Sequence, residues 1–83
     1  MNNNNYKTTD TALASYLITQ GFLLLAIDYS QPRYDFIFKP ATKIADYATK
    51  YVVGTALVDP ATFNRVNRKL LRIVRNQIQW GDE

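Results

Sequence analysis

The sequence predicts a small α+β domain, in which a two-stranded antiparallel sheet packs on helices in the order helix, β-hairpin, helix, helix. Three observations predict it: a capped helical pattern that stops at Gly21, two short apolar runs separated by a turn, and two later helical patterns that each begin with Pro-Ala-Thr. With 83 residues, of which 47% are hydrophobic and 20% charged, the chain has the length of one domain. A domain of this size buries only about 60–65% of the surface of its unfolded chain, so its stability margin is thin.

The first helix is predicted over residues 9–20. Thr8-Thr9-Asp10 supplies a hydroxyl and a carboxylate that can cap the helix start. Leucine, tyrosine and alanine then recur at helical spacing from Leu13 to Gln20, and Gly21 offers the left-handed conformation that ends a helix.

The β-hairpin is predicted over residues 22–29 and 34–39, joined by a turn at residues 30–33. The first run is too short and too closely bounded to be a helix, and the second alternates aromatic side chains with period two. Alternate side chains of a strand share one face, which here carries Tyr34, Phe36 and Phe38. Such a row can stack nucleic-acid bases, but a two-stranded sheet must bury one of its faces, so we favour a role in the core.

The second helix is predicted from Pro40 to about Gly54, and the last helix from Asp59-Pro60 to about Gln79. The aspartate fits the cap position and the proline fits the first turn. At 1.5 Å per residue the last helix spans roughly 30 Å. Residues 56–58, between the two helices, are apolar and leave open a short third strand.

Three parts of the chain are expected to differ in order. Residues 1–7 form an asparagine-rich stretch that we expect to be a flexible tail, residues 8–80 form the single α+β domain, and residues 81–83 form an acidic C-terminal end.

The longest apolar run, from Phe22 to Ile27, has six residues, against the ~20 that a membrane-spanning helix needs. With neither a span nor a signal peptide predicted, we expect a cytoplasmic protein, in a bacterium or the interior of a host cell.

Cysteine and histidine are both absent from the chain, which excludes disulfides, thiolate nucleophiles, imidazole bases and Cys/His zinc sites. The acidic residues are dispersed rather than paired, and the three glycines form no phosphate-binding loop. We therefore expect no enzymatic activity, no cofactor and no metal site.

Positive charge is concentrated in the last helix. Up to Asp59 the chain balances five basic against five acidic residues, whereas residues 60–80 carry five basic residues and no acidic one. On a helical wheel centred on Phe63, the apolar side chains fall within roughly 80° of the centre and the basic ones within about 60° of the opposite pole. We call the basic set the basic stripe; its members are Arg65, Arg68, Lys69, Arg72 and Arg75.

The basic stripe has a plain and a functional interpretation. A charged helix face is most often simply the solvated one. This face, however, lacks the acidic residues that i,i+4 pairing would intersperse, and four of its five charges are arginine, the side chain best suited to phosphate. We therefore predict a non-catalytic module that binds nucleic acid electrostatically, with Arg33 and Tyr34 at the hairpin turn as auxiliary contacts.

The same pattern is compatible with a different partner. The alternative function is an adaptor or inhibitor whose basic face docks on an acidic surface of a host or phage protein. Membrane binding is not expected, because the apolar side of the helix is needed to cover the hairpin. A homodimer would double the basic footprint.

Three stretches of the chain, TTDTALASYLITQGFLLLAID, FIF and VDPATFNRVNRKLLRIV, resemble a small family known only as a domain of unknown function, found in phages, plasmids and bacterial genomes. The resemblance covers about Tyr6 to Val74. It is carried mainly by Thr9-Asp10, Leu13-Ala14, Tyr16-Leu17, Gly21-Phe22 and the Phe36/Phe38 pair. It implies a viral or mobile-element setting and no known activity, so the resemblance supplies no catalytic residues to carry over to this chain.

Overall fold

Residues 5–82, which the computed structural model describes, form three helices and one antiparallel sheet of three strands. In chain order the elements are β1 (Tyr6–Thr8), α1 (Thr11–Thr19), β2 (Leu24–Asp28), β3 (Asp35–Phe38), α2 (Ile44–Val53) and α3 (Pro60–Arg75). The predicted α+β class is confirmed. The predicted order of helix, hairpin, helix, helix is confirmed as well, after an additional first strand.

The additional strand makes the two-stranded sheet of the prediction wrong. β3 lies in the centre of the sheet and pairs antiparallel with β2 on one side and with β1 on the other. In the β1 pairing, Tyr6 lies opposite Phe38 and Thr8 opposite Phe36. The third strand is therefore at the start of the chain and not at residues 56–58, which are irregular.

Two residues of the predicted N-terminal tail belong to this strand. Tyr6 and Lys7, assigned to a tail over residues 1–7, belong to β1, and the half-buried Tyr6 packs against the core. Residues 1–4 lie outside the described part of the chain.

The core lies between one face of the sheet and the helices. Phe36 and Phe38 are fully buried and share one apolar cluster with Leu17 of α1 and with Leu70 and Ile73 of α3. Burying a phenylalanine contributes about 1.5–3 kcal/mol. The aromatic strand is thus a core element, as predicted from the need of a small sheet to cover one face.

Helix α1 uses the predicted cap and stop signals, although it covers Thr11–Thr19 and not the predicted residues 9–20. The Asp10 side chain accepts two backbone hydrogen bonds from the first turn, at 2.9 and 3.2 Å. The helix stops before Gly21, whose φ of 93° lets the Phe22 amide donate to the Leu17 carbonyl over 3.1 Å. α1 packs against both α2 and α3 and so lies at the middle of the helical layer.

Helix α3 begins at Pro60, behind an Asp59 cap that accepts a hydrogen bond from the Thr62 amide at 2.9 Å. It ends at Arg75, so the predicted extension to about Gln79 is wrong. The helix stops because Gln77 adopts a left-handed conformation, with φ of 52°. Its 16 residues give a length of about 24 Å.

The residues after α3 return to the sheet. The Gln79 side chain accepts a hydrogen bond from the Ile27 amide at 2.7 Å and donates one to the Ile27 carbonyl at 2.8 Å. The Tyr29 hydroxyl donates to the Ile78 carbonyl over 2.6 Å. These contacts tie the end of α3 to the outer edge of β2 and so fix which side of the helix faces the core.

Candidate polyanion-binding face

One side of α3 packs against the core. Leu70 and Ile73 are fully buried, and Phe63 and Val74 are half-buried against the same core. Asn67, on the flank of this side, lies with its side-chain oxygen 3.0 Å from the buried Ser15 hydroxyl of α1. The opposite side of the helix is left to face solvent.

Four arginines occupy the solvent side of α3. Arg65, Arg68, Arg72 and Arg75 are all exposed. Within residues 5–82 none of the four donates a side-chain hydrogen bond or forms an ion pair. The helical wheel therefore placed these side chains correctly, and their guanidinium groups keep their donors available to an external ligand.

Lys69 differs from the other members of the basic stripe. It is half-buried, and its ammonium nitrogen lies 4.5 Å from the centre of the Trp80 ring, within the range of a cation–π interaction. Trp80 lies beyond the end of α3, so this contact also holds the C-terminal residues against the helix. Lys69 has a structural role in addition to its charge.

The basic stripe is gathered around one shallow depression. Its wall is formed by Ala61, Arg65, Arg68, Lys69 and Arg72. Arg75 lies one turn further along the helix. Ala61, which has no long side chain, leaves room between the basic residues, so that an anion can approach several of them together.

Electrostatics inside the helix explain only part of this arrangement. Arg72 and Arg75 lie in the last turn, where positive charge interacts favourably with the helix dipole. Arg65 and Arg68 lie earlier and gain nothing from it. The like-charged neighbours Arg65/Lys69 and Arg68/Arg72 instead repel each other by about 0.2–0.5 kcal/mol per pair. A bound polyanion would relieve that repulsion.

The predicted auxiliary residues lie at the hairpin turn. Arg33 donates a hydrogen bond of 3.3 Å to the Thr9 hydroxyl. Tyr34 is half-buried and meets Phe36 edge to face, with ring centres 5.4 Å apart. Both line a depression of their own with Thr9 and Pro32, so the structure does not bring them into the depression of the basic stripe.

Leu71 is a surface residue, although on the helical wheel centred on Phe63 it falls among the apolar side chains, about 80° from the centre. It is 41% exposed and lies three residues after Arg68 and four before Arg75, at neighbour spacing on the helix. In the sequence, only its position at the edge of the apolar side could have indicated that Leu71 is exposed. The basic stripe thus has an apolar neighbour on one flank.

Two kinds of titratable group outside the basic stripe have shifted pKa values. Burial raises the pKa of Tyr16, and the nearby Tyr47 raises it further. Hydrogen bonds from the amide and hydroxyl of Thr62, both 2.9 Å long, lower the pKa of Asp59. Both shifts favour the form that already predominates at neutral pH, the protonated phenol of Tyr16 and the ionised carboxylate of Asp59.

Two further features are absent from the described residues. Within residues 5–82 there is no group of three acidic side chains arranged to hold a metal ion. The same residues contain no helix long and apolar enough to cross a bilayer.

These features define a small α+β protein with one basic helical face. The chain belongs to the family described as domain of unknown function DUF5659, whose model matches residues 3–76. The match includes every strand and helix described above and all members of the basic stripe, which confirms the family resemblance expected from the sequence. No curated protein and no solved structure matches the chain significantly.

Proposed function

We propose that the protein is a non-catalytic module that binds nucleic acid electrostatically through the basic stripe. The observation that carries the proposal is the set of four exposed arginines without a hydrogen bond or ion pair to the rest of residues 5–82. Arginine presents a planar fork of donors that matches phosphate oxygens. The setting in a phage or mobile element stays a prediction of the family resemblance.

The dimensions of the basic stripe suit a nucleic-acid backbone. Arg65 and Arg75 are ten positions apart, which corresponds to about 15 Å along the helix axis. A duplex places one phosphate per strand about every 3.4 Å of its axis, so roughly four phosphates of one strand lie within that length. Four exposed arginines can therefore each meet a phosphate.

The chain supports contact with the backbone better than readout of bases. Phe36 and Phe38, the side chains best placed for stacking in the sequence, are fully buried. Beside the basic stripe, Asn64 and Asn76 are exposed polar side chains that can reach base edges. Phosphate contacts position a protein without specifying sequence, and we therefore expect weak sequence preference.

A titration at several salt concentrations tests the proposal. With four phosphates neutralised, the logarithm of the affinity for duplex DNA should fall with the logarithm of salt at a slope near −3.6, or about a hundredfold between 50 and 200 mM. Fluorescence anisotropy with labelled random-sequence DNA and RNA, single- and double-stranded, measures this slope. Absence of binding to any of these at about 50 mM salt contradicts the proposal.

A matched pair of double variants separates the basic stripe from overall charge. Arg68→Glu with Arg72→Glu changes the net charge from +3 to −1, because each reversal subtracts two from the +3 of the chain. Lys39→Glu with Lys43→Glu makes the same change at two exposed lysines outside α3. We expect the first pair to abolish binding and the second to weaken it modestly. An equal loss of affinity in both double variants would indicate that net charge, and not the basic stripe, determines binding.

An acidic protein surface is the second candidate partner, and Leu71 is the observation that favours it. An exposed leucine beside arginines offers apolar contact area, which a phosphodiester backbone does not need and a protein interface uses. The titrations above distinguish the two. The adaptor function would be supported by two results together. The protein would not bind nucleic acid, and an acidic protein from nuclease-treated lysate would bind it through α3.

A further inference from the structure

The four arginines of the basic stripe form a narrow row along α3. Arg65, Arg68, Arg72 and Arg75 follow one another at intervals of three, four and three residues, and all four are exposed. At about 100° and 1.5 Å per residue, they span an arc of about 80° around the helix, in steps of about 4.5–6 Å along its axis. The positive charge is therefore drawn out along the helix and not spread around it.

The two flanks of this row differ from the row itself. On one flank, Asn64 and Leu71 are exposed and uncharged. On the other flank, Lys69 is half-buried beside Trp80. A helix that enters the major groove has a phosphate backbone on either side of it, and would need exposed cations on both flanks. A single row of arginines instead fits the backbone of one strand.

Within residues 5–82, no aromatic side chain is fully exposed beside the basic stripe. The six tyrosines, four phenylalanines and one tryptophan all lie in that range, and each is buried or half-buried. Trp80 contacts the stripe, but the Lys69 ammonium nitrogen lies over its ring, 4.5 Å from the centre. Proteins that bind single strands stack successive bases on aromatic side chains. The basic stripe therefore offers charge without a stacking surface.

Charge density favours a duplex as the ligand of such a surface. A duplex carries one negative charge per about 1.7 Å of its axis, against about 3.4 Å for one of its strands. Each phosphate that the protein neutralises contributes about 0.9 to the salt slope on a duplex and about 0.7 on a single strand. The same four arginines therefore release more counterions from a duplex.

We infer that the basic stripe binds double-stranded nucleic acid in preference to single strands, with α3 lying along the backbone of one strand. This inference rests on the proposed binding of nucleic acid and specifies the form that is bound. The ligand chemistry is a regular row of duplex phosphates, which DNA and RNA both provide.

Fluorescence anisotropy with a labelled duplex of about 20 base pairs, and with each of its separated strands, tests the preference in DNA and in RNA. We expect salt slopes near −3.6 for the duplex and near −2.8 for a strand. That difference of about 0.8 corresponds to roughly sixfold tighter binding of the duplex at about 0.1 M salt, for two forms that bind equally at about 1 M.

The outcomes of this titration separate the inference from the proposed function. Equal or tighter binding of the single strands overturns the inference and leaves the proposed function standing. Absence of binding to every form overturns both. Tighter binding of the duplex in DNA alone or in RNA alone supports the inference and identifies which of the two sources the protein uses.

Removal of charge at the two ends of the row tests the alignment of α3. Arg65→Gln and Arg75→Gln each remove one of four phosphate contacts, so each should change the duplex slope from about −3.6 to about −2.7, and both together to about −1.8. The matched control is Lys39→Gln, at an exposed lysine outside α3, which should leave the slope near −3.6. A duplex that crosses α3 would not reach both ends, so an unchanged slope in either end variant overturns the alignment.

Discussion

Gln77 occupies the backbone position that ends α3. Its φ of 52° lies in the left-handed region, and the Ile78 amide donates to the Ile73 carbonyl over 3.2 Å. Helices commonly end in this way with glycine at the left-handed position, as α1 does with Gly21. A side chain at that position costs about 1–2 kcal/mol, so α3 ends at a strained residue.

The strain predicts a stabilising substitution. Gln77→Gly should raise the free energy of unfolding by about 0.5–1 kcal/mol, after the greater freedom of glycine in the unfolded chain is subtracted. Urea denaturation measures the change. Gln31→Gly, at an exposed turn position without positive φ, serves as control and should be neutral or slightly destabilising. Equal effects of both substitutions would contradict the argument.

The contribution of Asp59 to the stability of the folded state depends on pH. Hydrogen bonds from Thr62 hold the pKa of Asp59 below its ordinary value of 3.8, so the ionised carboxylate stabilises the folded state above that value. This contribution is lost as the pH falls through the lowered pKa of the folded state.

We therefore expect a pH-dependent effect of Asp59→Asn, which keeps a capping oxygen but removes the charge. The difference in unfolding free energy between the unmodified chain and this variant should be constant from about pH 5 to 7 and should shrink below about pH 4. Thermal unfolding at a series of pH values measures it. Thr62→Val removes the hydroxyl donor and should make the pH dependence shallower; an unchanged profile in that variant would count against the assigned cause.

At the scale of elements, β2 is an edge strand whose outer side is closed by a side chain. Gln79 pairs with both the amide and the carbonyl of Ile27, as a neighbouring strand would. Open edges invite pairing with other chains. The primary amide of one glutamine therefore protects the middle of this edge.

Removing that amide should destabilise and expose the strand. We expect Gln79→Ala to lower the free energy of unfolding by about 1–3 kcal/mol, because two partly buried backbone groups lose their partners. The Ile27 amide should also exchange faster with deuterated solvent. Gln31→Ala at the exposed turn is the control. A variant with normal stability and slow exchange at Ile27 would show that water replaces Gln79 without cost.

Most helix ends with local signals were predictable, although α2 begins at Ile44 and not at the predicted Pro40; the strand β1, which is defined by distant contacts, was not. Asp10, Gly21 and Asp59 mark helix ends through their own chemistry, and the structure uses each of them. β1 has only three residues and is defined by pairing with β3, about thirty positions later in the sequence. The end of α3 was placed too late because Gln77 carries no sequence signature of a left-handed residue.

At the scale of the whole molecule, the basic stripe lies on α3, whereas the most exposed large apolar residues, Val52 and Leu57, lie at the end of α2 and in the loop before α3. The basic stripe was predictable because α3 is strongly amphipathic and helical periodicity alone places its arginines outward. The depression beside Leu57 was not predictable, since its walls come from α1, α2, the loop between α2 and α3, and α3. Apolar residues in that loop could equally have been core.

The attachment of α3 at both ends bears on how tightly the proposed polyanion would be held. The Asp59 cap holds the start of the helix, and Gln79 and Tyr29 fasten the residues beyond its end to the sheet. The arginines are therefore mounted on a rigid frame before an encounter. Binding would then restrict the rotation of the arginine side chains but not the backbone of α3. The loss of conformational entropy on association would therefore come from the side chains alone.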